Sequence, residues 1–136
     1  LGVLLPPVYG TSYLILLHFW HLSTEGLRDC HVWLQRTQCK LYIDGRMGAE
    51  IFRSLALSPK NAVQSKDYFQ NYIEGVANEE LPCTARTIIY NVQLASAMVA
   101  SFVKRFVQQE SIPFELIFNF KDYTMSKSKL EVTKSA

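Results

Sequence analysis

Apolar residues recur at spacings of four and three from Ile88 through Val92, Ala95, Val99, Phe102 and Phe106, while Lys104, Arg105, Gln108 and Gln109 fall mostly on the other side. That period puts the apolar set on one face of an amphipathic helix. Thr84 offers an N-cap hydroxyl, and Pro82 disfavours helix in the residue before it. With no Gly or Pro inside the run, the pattern predicts a long helix over about residues 84–109. At about 1.5 Å per residue it spans on the order of 38 Å, the breadth of a small domain. The other elements must pack on it or around it.

Ahead of the helix the period changes. Leu41-Tyr42-Ile43 is β-prone and ends at Asp44-Gly45, a turn signal, with Gly48 close behind. Glu50, Phe52, Ser54 and Ala56 then alternate with Ile51, Arg53, Leu55 and Leu57, a period of two that fits a strand. Residues 41–57 read either as a hairpin or as two strand segments bent at a loop over residues 44–48. Ser58-Pro59 stops the strand, and Tyr68, Phe69, Tyr72 and Ile73 fit a short helix that Gly75 would end. Residues 78–80 read as an exposed linker. Beyond the long helix, Ser111-Ile112-Pro113 breaks the pattern and residues 114–120 read as a strand. From Lys121 the chain turns polar, so residues 123–136 are assigned as a polar tail, loose from Ser126 onward.

Residues 1–39 differ in character. They hold no Lys or Arg before Arg28, and residues 13–20 are densely apolar. Pro6, Pro7, Gly10, Thr11 and Ser12 interrupt the roughly 20 apolar residues that a membrane helix needs, and no cationic start marks a signal peptide. A buried strand or a short helix is the expectation for residues 13–20, or a section foreign to the domain behind it. Strand, strand, short helix, long helix and strand give an α/β or α+β order.

Composition narrows the function classes. A chain of 136 residues suits one domain, and 49% apolar content is enough for a real core. A net charge of +2 is too small to point to nucleic acid or to a membrane surface. Cys30, Cys39 and Cys83 are an odd number at wide spacing without a C-x-x-C, which suggests neither a zinc site nor a disulfide framework. Reduced thiols in a cytoplasmic protein are the default. His18 and His21 have no carboxylate or Cys at ligand spacing, so no metal site is expected.

Three residues carry the candidate chemistry. Asp44 and Arg46 stand beside glycines at the end of a strand, where open α/β sheets place ligand contacts and where Gly45 and Gly48 allow close backbone approach. The competing reading is a structural turn with an ordinary ion pair. Cys83 falls at or just before a helix N-terminus, where the helix dipole and Arg86 favour thiolate. No His lies at partner spacing, and a buried structural thiol is the alternative. Tyr42, Tyr68, Tyr72, Tyr90 and Tyr123 lack interleaved Lys and Arg and read as core residues instead of a base-stacking surface.

Taken in order, residues 41–50 (LYIDGRMGAE) and residues 81–91 (LPCTARTIIYN) resemble the C-terminal half of a ThiF/MoeB/HesA-type adenylyltransferase domain, the fold of ubiquitin-activating enzymes. The likeness covers about residues 40–122 and is strongest to bacterial members. It implies a Rossmann-like α/β domain that binds ATP and Mg²⁺ and adenylates the C-terminus of a ubiquitin-like or sulfur-carrier protein. By the same likeness, Asp44, Arg46 and Arg86 lie near substrate or nucleotide. Cys83 matches a position where some members carry a thioester- or persulfide-forming cysteine. The family's Gly-rich nucleotide loop, its arginine and its magnesium-binding Asp have no counterpart in residues 1–39, and its paired C-x-x-C is missing. The expectation is therefore an incomplete domain, a fragment that does not bind ATP competently alone. The rival expectation is a non-catalytic α/β interaction or dimerisation module, possible as a homodimer.

Overall fold

The computed structural model describes residues 2–8, 11–19, 39–48, 50–74 and 89–132. They form a mixed α/β fold. Eight strands run in chain order as β1 (Gly2–Val8), β2 (Thr11–Phe19), β3 (Cys39–Gly48), β4 (Ile51–Leu57), β5 (Ile112–Pro113), β6 (Glu115–Asn119), β7 (Thr124–Lys127) and β8 (Glu131–Val132). Between β4 and β5 come α1 (Ala62–Tyr68), a π-helix (Phe69–Glu74) continuing it, and the long α2 (Ile89–Val107). The main sheet has the order β1-β2-β3-β4-β6-β7, and β5 pairs with β8 separately. Among the described residues only β2 and β3 run parallel. Every other pairing is antiparallel.

The predicted hairpin forms, but its turn lies elsewhere. β3 and β4 stay in register from Tyr42↔Leu57 to Gly48↔Ile51, so Asp44-Gly45 sits inside a strand and the reversal comes after Gly48. The turn signal is overridden because Gly45 pairs with Ser54 in the ladder, while the Asp44 side chain has buried partners that a turn would not supply.

Both faces of β3 and β4 are covered. Side chains alternate across a strand, so Tyr42, Asp44, Leu55 and Leu57 share one face and Leu41, Ile43, Phe52 and Ala56 share the other, and all eight are at most 1% exposed. α1 and the π-helix cover the first face, since Tyr68 reaches Asp44 and Tyr72 packs edge-on to Phe114. α2 covers the second. It contacts β3 and β4, and its Tyr90 ring meets Phe120, which in turn meets Phe118.

The buried stripe of α2 is Asn91, Ala95, Val99, Phe102 and Phe106. Four of these match the expected face. Val92 does not: it is 41% exposed, because the stripe continues back through Asn91, four residues before Ala95. The helix ends in a Schellman motif, with Glu110 N–H donating to Arg105 O and Gln109 N–H to Phe106 O. Gln109 takes the left-handed position at φ 64°, a place usually held by glycine.

The α1 start is set by Asn61, whose Oδ1 accepts from Val63 N–H at 3.1 Å and Gln64 N–H at 3.3 Å. Within the stretch read as a polar tail, Thr124–Lys127 and Glu131–Val132 form β7 and β8. β7 takes its place by pairing with β6, and Val132 is sealed against Ile112 by the β5–β8 pair. Backbone pairing holds this polar stretch without an apolar face of its own, which composition alone does not register. Among the described residues no helix is long and apolar enough to cross a membrane.

Candidate functional site

β3 carries Tyr42, Asp44 and Arg46 on the face beneath α1. Asp44 is 1% exposed and stands at the centre of a buried polar network. Its Oδ2 accepts from Arg46 Nε at 2.9 Å and from the Tyr68 hydroxyl at 2.9 Å. The Tyr42 and Tyr68 hydroxyls lie 3.3 Å apart, and their rings meet edge-on at 5.7 Å. Burial raises the Tyr68 phenol well above its ordinary value, and the Asp44 charge pushes it the same way, so Tyr68 holds its proton and donates it. Burial alone would lower the Arg46 guanidinium, but Asp44 and Tyr68 more than offset this and hold it above the usual arginine value.

A second set lies beside the first. Arg53 Nε is 3.3 Å from Glu115 Oε1, and the Arg53 guanidinium sits 6.0 Å from the centre of the Tyr72 ring. Burial raises the Tyr72 phenol to about 12, and the charge of its neighbour Glu115 pushes it the same way. Tyr68 and Tyr72 stack with ring centres 6.3 Å apart. Each tyrosine thus stands over one carboxylate, and each carboxylate holds one arginine. In the first set the Asp44 side chain is buried at 2% exposure and Arg46 reaches partly to solvent at 25%, whereas the side chains of Arg53 and Glu115 are 39% and 20% exposed.

This geometry corrects the placement of Asp44 and Arg46 on a glycine-flanked loop. They lie inside β3, their charges answer each other, and Gly45 is buried in the ladder. Of the two readings, the ion pair is the one observed, in a strand and not in a turn. The sequence reading placed Tyr68 and Tyr72 in the core without seeing that the Tyr68 hydroxyl donates to Asp44 or that Tyr72 lies near the Glu115 charge. Their spacing of four within a predicted helix was the available signal. Nothing in the sequence paired Arg53 with Glu115, which are 62 residues apart and meet only because β4 and β6 are neighbours. Tyr90 and Tyr123, also read as core, are 37% and 82% exposed.

Cys83 and Arg86 lie outside the described residues, as do His21 and Cys30. Cys39 is buried on β3, its thiol donating to Leu41 O at 3.2 Å. Among the described residues no three His, Cys, Asp or Glu side chains are grouped to hold a metal ion. Asp44 is sealed between Arg46 and Tyr68, which leaves it no open side for Mg²⁺ or a phosphate. Asp44 and its two partners do not fit a Mg²⁺ or phosphate contact. The Tyr68–Asp44–Arg46 network can instead fix α1 and the π-helix on the sheet, because any shift would strand a buried charge. Comparisons of the chain with family models, with characterised proteins and with solved structures found no match.

Proposed function

We propose that this chain supplies the sheet and core helix of a ThiF-type, Rossmann-like adenylyltransferase domain. The complete domain would use ATP and Mg²⁺ to activate the C-terminus of a ubiquitin-like or sulfur-carrier protein in the cytoplasm. In this reading Asp44 and Arg46 are positioning residues and not nucleotide contacts. One observation carries it. The first motif (residues 41–50) is tied through Asp44 to Tyr68 of the helix that leads toward the second motif (residues 81–91). A charge buried in the first motif therefore fixes the helix that precedes, in the chain, the segment containing Cys83 and Arg86. The run β3-β4-β6-β7 is antiparallel, so these strands do not form a nucleotide cleft of the parallel type, and in this reading other residues supply it.

Calorimetry with ATP and Mg²⁺ on this chain, beside a chain extended upstream, tests the proposal. Binding in the extended chain alone supports it. Micromolar binding by this chain alone overturns the assignment of nucleotide contacts elsewhere, and binding by neither removes the adenylyltransferase reading.

A second reading, a non-catalytic interaction or dimerisation module, is favoured by a separate observation. Ile89, Tyr90, Tyr123 and Met125 are 73%, 37%, 82% and 60% exposed. Tyr90 reaches Phe120 and the Glu50 carboxylate, and Met125 pairs with Phe118, so these apolar side chains gather around one end of the sheet.

A further inference from the structure

β7 closes one side of the main sheet, and the hydrogen bonds around it fix which of its backbone groups are unused. Ala56 N–H donates to Phe114 O and Phe120 N–H to Glu50 O, so alternate residues of β6 from 114 to 120 bond toward β4. Ser128 N–H donates to Glu115 O, which places the bonds between β6 and β7 at the intervening residues. Ser126 and Thr124 therefore bond to Ile117 and Asn119. Met125 and Lys127 direct their N–H and C=O groups away from β6, toward the open edge. All four residues of β7 are exposed, and Tyr123 precedes them in the left-handed conformation at φ 51°.

We infer that this edge pairs with β7 of a second copy of the chain, antiparallel and centred on Met125. Three features select that occupant. In the self-pair the outward N–H and C=O of Met125 meet those of Met125 in the partner subunit, so both strands gain partners through one symmetric contact. The same centre brings Lys127 to the turn that carries the exposed Tyr123 of the partner subunit, an ammonium near an aromatic ring. It also keeps Lys127 from facing its own copy, which a centre at Lys127 would force. The exposed Met125 then lies against its counterpart, beside the aromatic group of Phe118 and Phe120. A self-pair of three strand residues, 124–126, falls short of the roughly 1,200 Å² of a standard interface, so the dimer is weak and concentration-dependent. The inference deepens the interaction-module reading and rests on it, and is independent of the adenylyltransferase reading.

Sedimentation velocity of the full chain across a concentration series, with Met125→Lys and Met125→Cys variants, tests it. Met125 is exposed, so both variants leave the folded core intact. The expected results are a reversible dimer, a weakening of that dimer by about tenfold or more in Met125→Lys through like charges at the two-fold axis, and an intermolecular 125–125 disulfide in Met125→Cys. That crosslink is located by mass spectrometry because Cys30, Cys39 and Cys83 are also present. A Ser126→Cys variant that crosslinks better than Met125→Cys overturns the register. A dimer indifferent to Met125→Lys overturns β7 pairing while leaving the module reading in place. A monomer at every concentration overturns both.

Discussion

Arg46 and Arg53 stand directly opposite each other on β3 and β4, and each turns its Nε to a carboxylate of its own, Asp44 at 2.9 Å and Glu115 at 3.3 Å. Like charges facing across a ladder are destabilising unless each is answered. Here both are answered, and Asp44 also accepts from the Tyr68 hydroxyl of the helix above. One Arg46 Nη is buried without a hydrogen bond, so the set is strongly dependent on Asp44.

Replacing Asp44 by Ala leaves the Arg46 guanidinium partly buried without its counter-charge and takes the acceptor from Tyr68. The expected loss is about 3 kcal/mol of unfolding free energy. Tyr68→Phe removes one hydrogen bond to a charged group and is expected to cost about 1.5–3 kcal/mol. A double-mutant cycle by urea denaturation should give a coupling of about 1 kcal/mol or more between the two sites. Additive losses would show that the network is not a unit.

Alkaline pH should weaken the fold through the same tyrosines. The Tyr72 phenol is raised from 10.0 to about 12, and Tyr68 is raised as well. A raised phenol means the unfolded chain gives up the proton first. The contribution is therefore complete below pH ~10 and is lost as pH rises through the folded value near 12. Thermal melting followed from neutral to high pH should show this decline, and Tyr72→Phe should reduce its steepness. A melting temperature flat over that range contradicts the assignment.

Gln109 occupies the left-handed position of the α2 Schellman motif without the freedom of glycine. Gln109→Gly removes a Cβ that crowds the following backbone and is expected to stabilise the chain by about 0.5–1 kcal/mol. Denaturant midpoints compared at constant m-value measure it. A loss of stability would mean the Gln side chain matters more than the backbone geometry.

The face that α2 buries can be tested by a matched pair of truncations. Phe102 is 4% exposed, and Phe102→Ala is expected to cost about 3–5 kcal/mol through the cavity it leaves. Val92 is 41% exposed, and Val92→Ala should stay within about 0.5 kcal/mol. Similar losses at both sites would return Val92 to the buried stripe.

Residue order alone was enough to find the long helix, the alternating strand of residues 51–57 and the strand after Pro113, because each is written in a local period that its burial requires. The helix stripe was legible from Ala95 to Phe106 and failed at Val92, where a polar residue, Asn91, takes the buried place. Asp44 and Arg46 were legible as a candidate pair, but not as strand-interior residues. Local turn chemistry pointed one way, and partners 24 residues distant in the chain pointed the other. Tertiary structure alone decided that Tyr68 reaches Asp44, that Arg53 meets Glu115, and that the polar stretch after Lys121 adds strands to the sheets. Those outcomes depend on which strands lie side by side. Strand neighbours are set by the burial of whole faces and by the pairing of every backbone group, quantities that no short window of residues contains.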